Sequence, residues 1–264
     1  MNDLDLAIAS AEAGAAIVLR HFGEGHPADF KGVNDPVTAV DRASEAAIVD
    51  LIRAERPLDS IIAEEGAGSV GGSRRWLIDP LDGTVNFVHG IPQVCVSVAL
   101  YDGDTPLAAA IVDPIRHETF TAEAGTGAAC NGRPITTSRA GRLAETVMAT
   151  GFFYDHDQFA ADYTRPVTAV LERANGVRRF GSAALDLAWT AAGRFDGYWE
   201  LGVAPWDIAA GILLVREAGG IVTDPFGRPS NPESRLIVAA GRGVHEPLRR
   251  LIESNLTDRL RAQS

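Results

Sequence analysis

Hydrophobic and polar positions follow two different periods along this chain. Apolar residues recur every three or four positions over 3–22, which predicts an amphipathic helix ending near Gly23. Similar spacing predicts helices over 43–52 and about 158–174. Short apolar runs predict strands, and their positions are 60–63, 76–78, 94–100, 107–112, 119–122, 146–151, 177–180 and 195–201. In the second half these strands alternate with helices.

The segments rich in glycine, proline and aspartate predict loops. Residues 23–36 predict a mobile loop that contains Lys31, and a solvated lysine is the ordinary interpretation of that residue. Residues 124–132 predict a glycine-rich hairpin without the spacing of a nucleotide-binding loop. The turn-rich stretch near residue 141 marks a weak domain boundary, with no long linker.

The most distinctive stretch is 76–90, where a buried strand leads into two aspartates. Trp76-Leu77-Ile78 predicts the end of that strand, followed by Asp79 and Asp82 on a turn. Pro80 has no N–H, so we expect the strand ladder to stop there and leave the Leu81 carbonyl free for a partner other than backbone. Carboxylate and carbonyl oxygens are the ligands that Mg²⁺ prefers.

Two alternatives apply to the Asp-Gly-Thr part of this stretch. Asp-Gly-Thr is also typical of an ordinary turn. An aspartyl-phosphate nucleophile of the haloacid dehalogenase type needs an acid two residues before Asp82, where this chain has Pro80.

Several other acids lie at the ends of predicted elements. Glu64 and Glu65 follow the strand over 60–63, and paired glutamates are commonly surface residues. Asp41 and Asp207 stand at helix starts, where capping alone would explain them, and Gly181-Ser182 also opens a helix. Glu200 lies near a strand end, seven residues before Asp207, which predicts that the two acids share one edge of a sheet.

Two stretches resemble the signatures of the inositol monophosphatase family. Residues 76–90 match Trp-x-Ile-Asp-Pro-Leu-Asp-Gly-Thr-x-Asn-Phe-x-His-Gly at every fixed position, and 206–220 resemble Trp-Asp-x-Ala-Ala-Gly…Glu-Ala-Gly-Gly. Glu64-Glu65 resembles the family's Gly-Glu-Glu, with alanine in the first position. The resemblance covers essentially the whole chain. It implies a layered αβαβα sandwich of the sugar-phosphatase type, as in inositol monophosphatase and fructose-1,6-bisphosphatase, with an α+β half (1–140) and an α/β half (141–264) in one unit.

The resemblance also implies a role for each matching residue. The metal ligands, around two or three Mg²⁺ ions, would be Glu64, Asp79, Asp82, Asp207 and the carbonyl of Leu81. Glu64 and the pair Thr84–Asp41 would activate and orient the attacking water. Lys31 would belong to a mobile loop that closes over the metals. The substrate would contact Asp82, Gly83, Thr84, Gly181, Ser182, Ala183, Glu200 and Asp207.

Composition narrows the classes of function. The 264 residues carry 35 acids against 24 bases, a net charge of −11, which argues against nonspecific nucleic-acid binding. No apolar run approaches the ~18 residues of a membrane span, and the first residues lack the basic region of a signal peptide. We therefore expect a cytoplasmic chain, with Cys95 and Cys130 as reduced thiols.

By resemblance, we expect a Mg²⁺-dependent, lithium-sensitive, homodimeric phosphomonoester hydrolase acting on inositol monophosphate. Alternatives within the family are histidinol phosphate, fructose bisphosphate and nucleotide 3′-phosphates. Histidinol-phosphate relatives commonly have a basic residue where this chain has Val85. A non-enzymatic alternative is a protein partner of the transcription machinery, because some bacterial relatives bind it.

Overall fold

The computed structural model describes residues 1–25, 29–32, 35–68, 72–152 and 156–261. Within these ranges it has eight α-helices: α1 (Asp3–His21), α2 (Ala39–Glu55), α3 (Thr84–Val88), α4 (His156–Leu171), α5 (Ala183–Ala191), α6 (Pro205–Glu217), α7 (His245–Asn255) and α8 (Asp258–Arg261). A short 3₁₀ helix covers Leu143–Glu145. The strands are β1 (Asp29–Gly32), β2 (Asp35–Val37), β3 (Ser60–Ala63), β4 (Arg74–Asp82), β5 (Cys95–Asp102), β6 (Thr105–Asp113), β7 (Glu118–Glu123), β8 (Gly127–Cys130), β9 (Arg133–Pro134), β10 (Val147–Thr150), β11 (Gly176–Arg178), β12 (Gly197–Leu201), β13 (Ile221–Thr223) and β14 (Leu236–Ala240).

The strands form two large mixed sheets. The first has seven strands in the order β3-β4-β5-β6-β7-β8-β9, and only the β3–β4 pair is parallel. The second has five strands in the order β11-β10-β12-β14-β13, and β10 runs parallel to both of its neighbours. Strands β1 and β2 form a separate antiparallel pair.

Three apolar clusters stack the helices and sheets into five layers. Helices α1 and α2 pack on one face of the seven-stranded sheet. Helices α5 and α6 fill the space between the two sheets, in a cluster that takes side chains from both. Helices α4 and α7 cover the outer face of the five-stranded sheet. This confirms the predicted αβαβα sandwich.

Strand β4 contains a continuous apolar run because both of its faces are buried. Trp76 and Ile78 belong to the cluster under α1 and α2, whereas Leu77 belongs to the cluster under α5 and α6. Both faces of the strand are therefore buried, so no polar alternation is needed along it.

The predicted loop over 23–36 is wrong in part. The backbone of this segment pairs as β1 and β2, with Asp29 opposite Val37, because two extended segments can satisfy each other's N–H and C=O groups. Lys31 has its backbone in β1, while its side chain and residues 26–28, 33 and 34 lie outside the described structure. The role expected for Lys31 stays a prediction.

The boundary between the two sheets agrees in position with the weak boundary near residue 141. The first sheet ends at Pro134 and the second begins at Val147. One apolar cluster nevertheless joins both sheets through α5 and α6. The division into 1–140 and 141–264 therefore stays a prediction.

Cys95 and Cys130 are free thiols, and Cys95 is fully buried. No helix in the described ranges is long and apolar enough to cross a membrane.

Gly211, in the second signature stretch, lets α5 and α6 approach each other closely within the middle layer. Gly211 lies on α6, and a Cβ there would stand 2.4 Å from Cδ1 and 2.5 Å from Cβ of Leu187 on α5. Real Cβ atoms do not approach so closely, so a side chain at this position forces the helices apart. Gly211 therefore sets how closely α5 and α6 pack side by side within the middle layer.

We expect Gly211→Ala to lower the free energy of unfolding by about 1–2 kcal/mol, because the clash outweighs the ~1 kcal/mol that alanine gains over glycine inside a helix. Urea denaturation measures this. The matched control is the same change in a Leu187→Ala background, where the penalty should shrink but not vanish, because Cδ1 and Cγ of Leu187 are removed while its Cβ remains. An unchanged or higher stability of the single variant would contradict the close-packing account.

Candidate active site

Strand β4 reaches the site through a bulge. Asp79 and Asp82 are three residues apart but pair with β5 residues only two apart, so β4 holds one extra residue there. The expectation that the ladder stops at Pro80 is therefore wrong: the bulge absorbs the proline, and the strand resumes to Asp82. The Pro80 carbonyl accepts the Ser44 hydroxyl of α2 at 2.7 Å, which anchors the bulge to the outer helix layer.

The Asp-Gly-Thr turn follows directly and has a conformation that needs glycine. Gly83 has φ of +93°, and a Cβ there would stand 2.7 Å from the carbonyl oxygen of Gln93. Thr84 begins α3, and its Oγ1 lies 2.9 Å from Oδ1 of Asp41 and 3.0 Å from the carbonyl oxygen of Leu81. The Leu81 carbonyl thus accepts a hydrogen bond from a side chain, and we expected its partner to lie outside the backbone ladder of the sheet.

Asp41 combines a structural role with a place in the site. The N-cap of α2 is Thr38 rather than Asp41, which corrects the capping prediction by three residues. Asp41 completes the cap: its Oδ2 accepts the N–H of Thr38 at 2.8 Å and its hydroxyl at 2.5 Å. Its other oxygen remains for Thr84. Burial raises the pKa of Asp41 despite these hydrogen bonds.

Asp82 joins the two halves of the chain. Its Oδ2 accepts the hydroxyl of Ser182 and the backbone N–H of Ala184, each at 2.7 Å. The thiol of Cys95 lies 3.6 Å from the same oxygen. Ser182 precedes α5 but makes no capping hydrogen bond with its side chain, so its hydroxyl serves Asp82 instead of the helix. Burial raises the pKa of Asp82, while these donors lower it.

Glu64 and Asp207 come from two other elements. The N–H of Glu64, just after β3, donates to the carbonyl of Ile78 on β4 at 3.2 Å. The next turn is held by Glu45 of α2, which accepts the N–H of Glu65 at 2.7 Å. Asp207 lies in the first turn of α6, and its Oδ2 accepts the N–H of Ala204 at 2.7 Å. Asp207 therefore caps its helix.

The acids from these elements influence one another. Burial raises the pKa of Asp79 well above its usual range, and the charges of Glu64, Asp82 and Asp207 raise it further. The pKa of Asp207 is raised by burial and then by Asp82, with Glu64 and Glu200 adding to the effect. The structure thus brings the four predicted carboxylate ligands close enough for their charges to act on one another.

The donor set of this region suits a hard divalent cation. The oxygens available are carboxylates and the Leu81 carbonyl, and a cation would remove the repulsion that raises these pKa values. In the described ranges no three His, Cys, Asp or Glu side chains stand close enough together to hold an ion as they are. The ligand assignment stays a prediction.

The alcohol side of the predicted site is formed by β12 and the start of α5. Glu200 is buried on β12, and the hydroxyl of Tyr198 donates to its Oε2. Its carboxylate lies against the backbone of Gly151, where a Cβ would stand 2.0 Å from Oε2. Burial raises the pKa of Glu200 to about 7, with Tyr198 and Arg179 opposing the rise.

The predicted substrate residues Gly181, Ser182 and Ala183 are held beside the Asp-Gly-Thr turn. The amide of Asn86 on α3 donates to the carbonyls of Gln93 and Phe180 at 2.8 Å, and lies 3.3 Å from that of Gly181. This side chain fixes the 180–181 turn against the metal motif. Asn86 is part of the signature, yet the sequence offers no hint of this partner.

Three further residues were missed by the sequence analysis. Tyr198 and Gly151 contact Glu200, and Asp186 in the first turn of α5 is 1% exposed with its Oδ1 lacking a hydrogen-bond partner. Burial and the charge of Glu200 raise the pKa of Asp186 well above its usual range. An isolated glycine at a strand end can signal a close approach, and this was the only available hint for Gly151.

Comparison with known proteins agrees with this geometry. A model of the inositol monophosphatase family matches residues 2–257. The chain belongs to this family. Relatives include the Nus factor SuhB of Escherichia coli, 41% identical over 262 residues with 98% of each chain covered, and an inositol-1-monophosphatase of Synechocystis, 40% identical over 93% of this chain and 86% of that protein. The crystal structure of the extragenic suppressor protein suhB from Bartonella henselae superposes with a TM-score of 0.90 at 38% identity, covering 94% of this chain and 97% of that one.

Family membership supports a phosphatase, in agreement with the prediction at the level of reaction class. It also explains why the two signature stretches, which lie far apart in the sequence, converge. Asp82 of the first stretch, at the end of β4, and Asp207 of the second, in the first turn of α6, interact electrostatically.

The raised pKa values predict how the stability of this family member depends on pH. An acid whose pKa is higher in the folded state than its unfolded value near 4 binds a proton that the unfolded chain has lost, so stability falls as pH rises through that window. Asp79, Asp82 and Asp207 all have this sign. Without divalent ions, the melting temperature should fall as the pH rises above the unfolded value near 4. Asp79→Asn should flatten this slope.

The matched control is Asp224→Asn, a change at a buried acid outside the site. It should leave the slope of melting temperature against pH unchanged. A slope that is the same in the unmutated protein and in Asp79→Asn would show that these acids are not the source of the pH dependence.

Proposed function

We propose that this protein is a Mg²⁺-dependent phosphomonoester hydrolase that converts inositol monophosphate and water to inositol and phosphate. The observation that carries the proposal is the hydroxyl of Thr84, held between Asp41 and the Leu81 carbonyl beside the acids of β4. No covalent nucleophile is needed for this reaction, because water can attack the phosphorus directly.

The chain's own groups orient the attacking water. The single proton of the Thr84 hydroxyl is directed to Asp41 or to the carbonyl of Leu81, so its lone pairs face the site as acceptors for a water O–H. Glu64 accepts the second proton as the new P–O bond forms. The bond between phosphorus and the alcohol oxygen breaks, and that oxygen takes up a proton from solvent water. The backbone N–H groups of Gly83 and Thr84 bind the phosphate. When bound, Mg²⁺ supplies Lewis-acid chemistry at the reacting oxygens.

The ligands proposed for Mg²⁺ are Glu64, Asp79, Asp82, Asp207 and the Leu81 carbonyl, around two or three ions. The acids lie in one region and raise each other's pKa values, which supports the assignment. Lithium inhibition, a homodimer and a cytoplasmic location belong to the same proposal, by analogy with the family.

The burial and position of Glu200 support the proposal that the leaving alcohol is a polyol. It is a buried acceptor on the alcohol side, and a hydroxyl of inositol is a matching donor. Histidinol phosphate is the main alternative, because its ammonium group would also suit an acid. A phosphate-release panel of inositol monophosphate, histidinol phosphate, fructose bisphosphate and a nucleotide 3′-phosphate, with Mg²⁺ and with added lithium, tests the assignment. Preference for any of the last three replaces the substrate and keeps the reaction class.

A second candidate function follows from the identity to proteins named Nus factor SuhB. The chain could act as a protein partner of the transcription machinery, alone or beside catalysis. Affinity purification from the native cell, run beside the phosphate-release assay on the same preparation, separates the two functions. Recovery of RNA polymerase or its factors without any phosphatase activity would favour the binding role.

We expect Asp82→Asn to lower kcat by ~10³-fold or more, because it removes one charge from the proposed cation cage while keeping the side-chain shape. Phosphate release in saturating Mg²⁺ measures this, with circular dichroism as the check on folding. Asp224→Asn is the matched control and should stay near unmutated activity. Full turnover by Asp82→Asn would refute the metal assignment.

We expect Glu200→Gln to lower kcat/KM for inositol monophosphate by about ten- to a hundredfold, since a hydrogen bond to a charged group contributes roughly 1.5–3 kcal/mol. A generic aryl phosphate has no ring hydroxyls and should be affected little. The control Glu217→Gln changes an acid at the far end of α6, bound to the N–H groups of Gly125 and Gly127. Equal losses for both substrates would place Glu200 in the metal site or the fold instead.

A further inference from the structure

The carboxylate of Glu200 is held by a hydrogen bond from a residue of the same strand. Tyr198 and Glu200 are two residues apart on β12, so their side chains lie on the same face of the five-stranded sheet. Tyr198 is fully buried, and its hydroxyl donates to Oε2 of Glu200. A phenol has one proton, so this bond engages its only donor. The bond also favours the ionised, accepting form of Glu200.

The backbone that follows the neighbouring strand β10 contacts the other side of the Glu200 carboxylate. β10 runs parallel to β12 with Thr150 opposite Trp199, which places Gly151 beside Glu200. A Cβ at Gly151 would stand 2.0 Å from Oε2 and 2.3 Å from Oε1. The carboxylate therefore lies directly on the backbone of Gly151, and any side chain there would displace it.

The charges around Glu200 indicate which kind of alcohol fits. Asp82 raises the pKa of Glu200, and Asp186, buried with one oxygen unpartnered, is influenced by Glu200 in turn. Arg179 is the cation that opposes both effects. This acidic environment repels a second phosphate group on the leaving alcohol.

We propose that Tyr198 is a positioning residue: its buried hydroxyl, with the backbone of Gly151 as a floor, fixes Glu200 as the acceptor for one neutral hydroxyl of the leaving polyol. The inference rests on the proposed function and adds to it the residue that orients Glu200. Tyr198 does not touch the reacting atoms and acts only through Glu200.

The test is Tyr198→Phe, which removes one oxygen atom and keeps the ring. kcat/KM for inositol monophosphate should fall about tenfold, mainly through KM, while an aryl phosphate without ring hydroxyls is unaffected. In the double variant Tyr198→Phe/Glu200→Gln the loss should equal that of Glu200→Gln alone, because the hydroxyl then has no carboxylate to orient. Gly151→Ala should give the same selective loss.

The matched control is Tyr101→Phe. Tyr101 is also fully buried, and its hydroxyl donates to the carbonyl of Ala209 at 2.8 Å, away from Glu200. This variant should lower stability without changing the ratio of kcat/KM between the two substrates. Multiplicative losses in the double variant, or an equal loss on both substrates, would overturn the positioning role and leave Tyr198 as a packing residue.

A second readout needs no substrate, so it separates this inference from the proposed function. The carboxyl carbon of Glu200, labelled with carbon-13 and assigned by its absence in Glu200→Gln, should titrate near its value of about 7. In Tyr198→Phe its midpoint should move upward, because the lost hydrogen bond favoured the carboxylate. An unmoved midpoint overturns the proposal. Failure of the unmutated enzyme to hydrolyse inositol monophosphate, with the shift present, removes the proposed substrate and retains the positioning of Glu200.

Discussion

The hydrogen bonds to one carboxylate oxygen of Asp82 are the interaction on which the geometry of the site depends. Oδ2 accepts the hydroxyl of Ser182 and the N–H of Ala184, and these donors lie 100 and 102 positions further along the chain. They fasten the end of β4, in the first sheet, to the start of α5, between the sheets. The Asp-Gly-Thr turn and the start of α5 are thereby held in a fixed relation.

This arrangement places an excess of negative charge inside the protein. Asp79, Asp82, Asp207 and Glu200 all have pKa values raised by burial, and most are raised further by one another. Apolar packing on both faces of the sheets must offset that repulsion in the folded chain. The same repulsion gives a divalent cation a large electrostatic advantage at this place over any exposed acid on the surface. A cation at the proposed metal site would relieve this repulsion.

The sequence predicts the parts of this structure that depend on neighbours along the chain. The amphipathic pattern locates α1, and the apolar run at Trp76 locates β4, because burial selects those periods directly. Pairings between distant segments have no such local signal. Nothing in the sequence around Ser182 points to Asp82, and nothing around Gly151 points to Glu200, because each contact exists only after the sheets have stacked.

Local misjudgements have a similar cause. Pro80 was expected to end the strand because it has no N–H. The bulge accommodates the missing donor, and the strand continues to Asp82. The segment over 23–36 has a loop's composition, and the pairing of β1 with β2 depends on two stretches meeting, which composition does not encode.

Capping and chemistry are not competing explanations for the acids at helix starts. Oδ2 of Asp41 accepts the backbone N–H and the hydroxyl of Thr38, and Oδ1 accepts the hydroxyl of Thr84. The capped end of α2 therefore holds Thr84 in place. Asp207 likewise binds the N–H of Ala204 through one oxygen while its charge acts on the other acids. A carboxylate has two oxygens with about four acceptor sites, and a cap uses only one of the oxygens. Helix starts are therefore places where a fold can hold an acid rigidly and still leave an oxygen free to face a ligand.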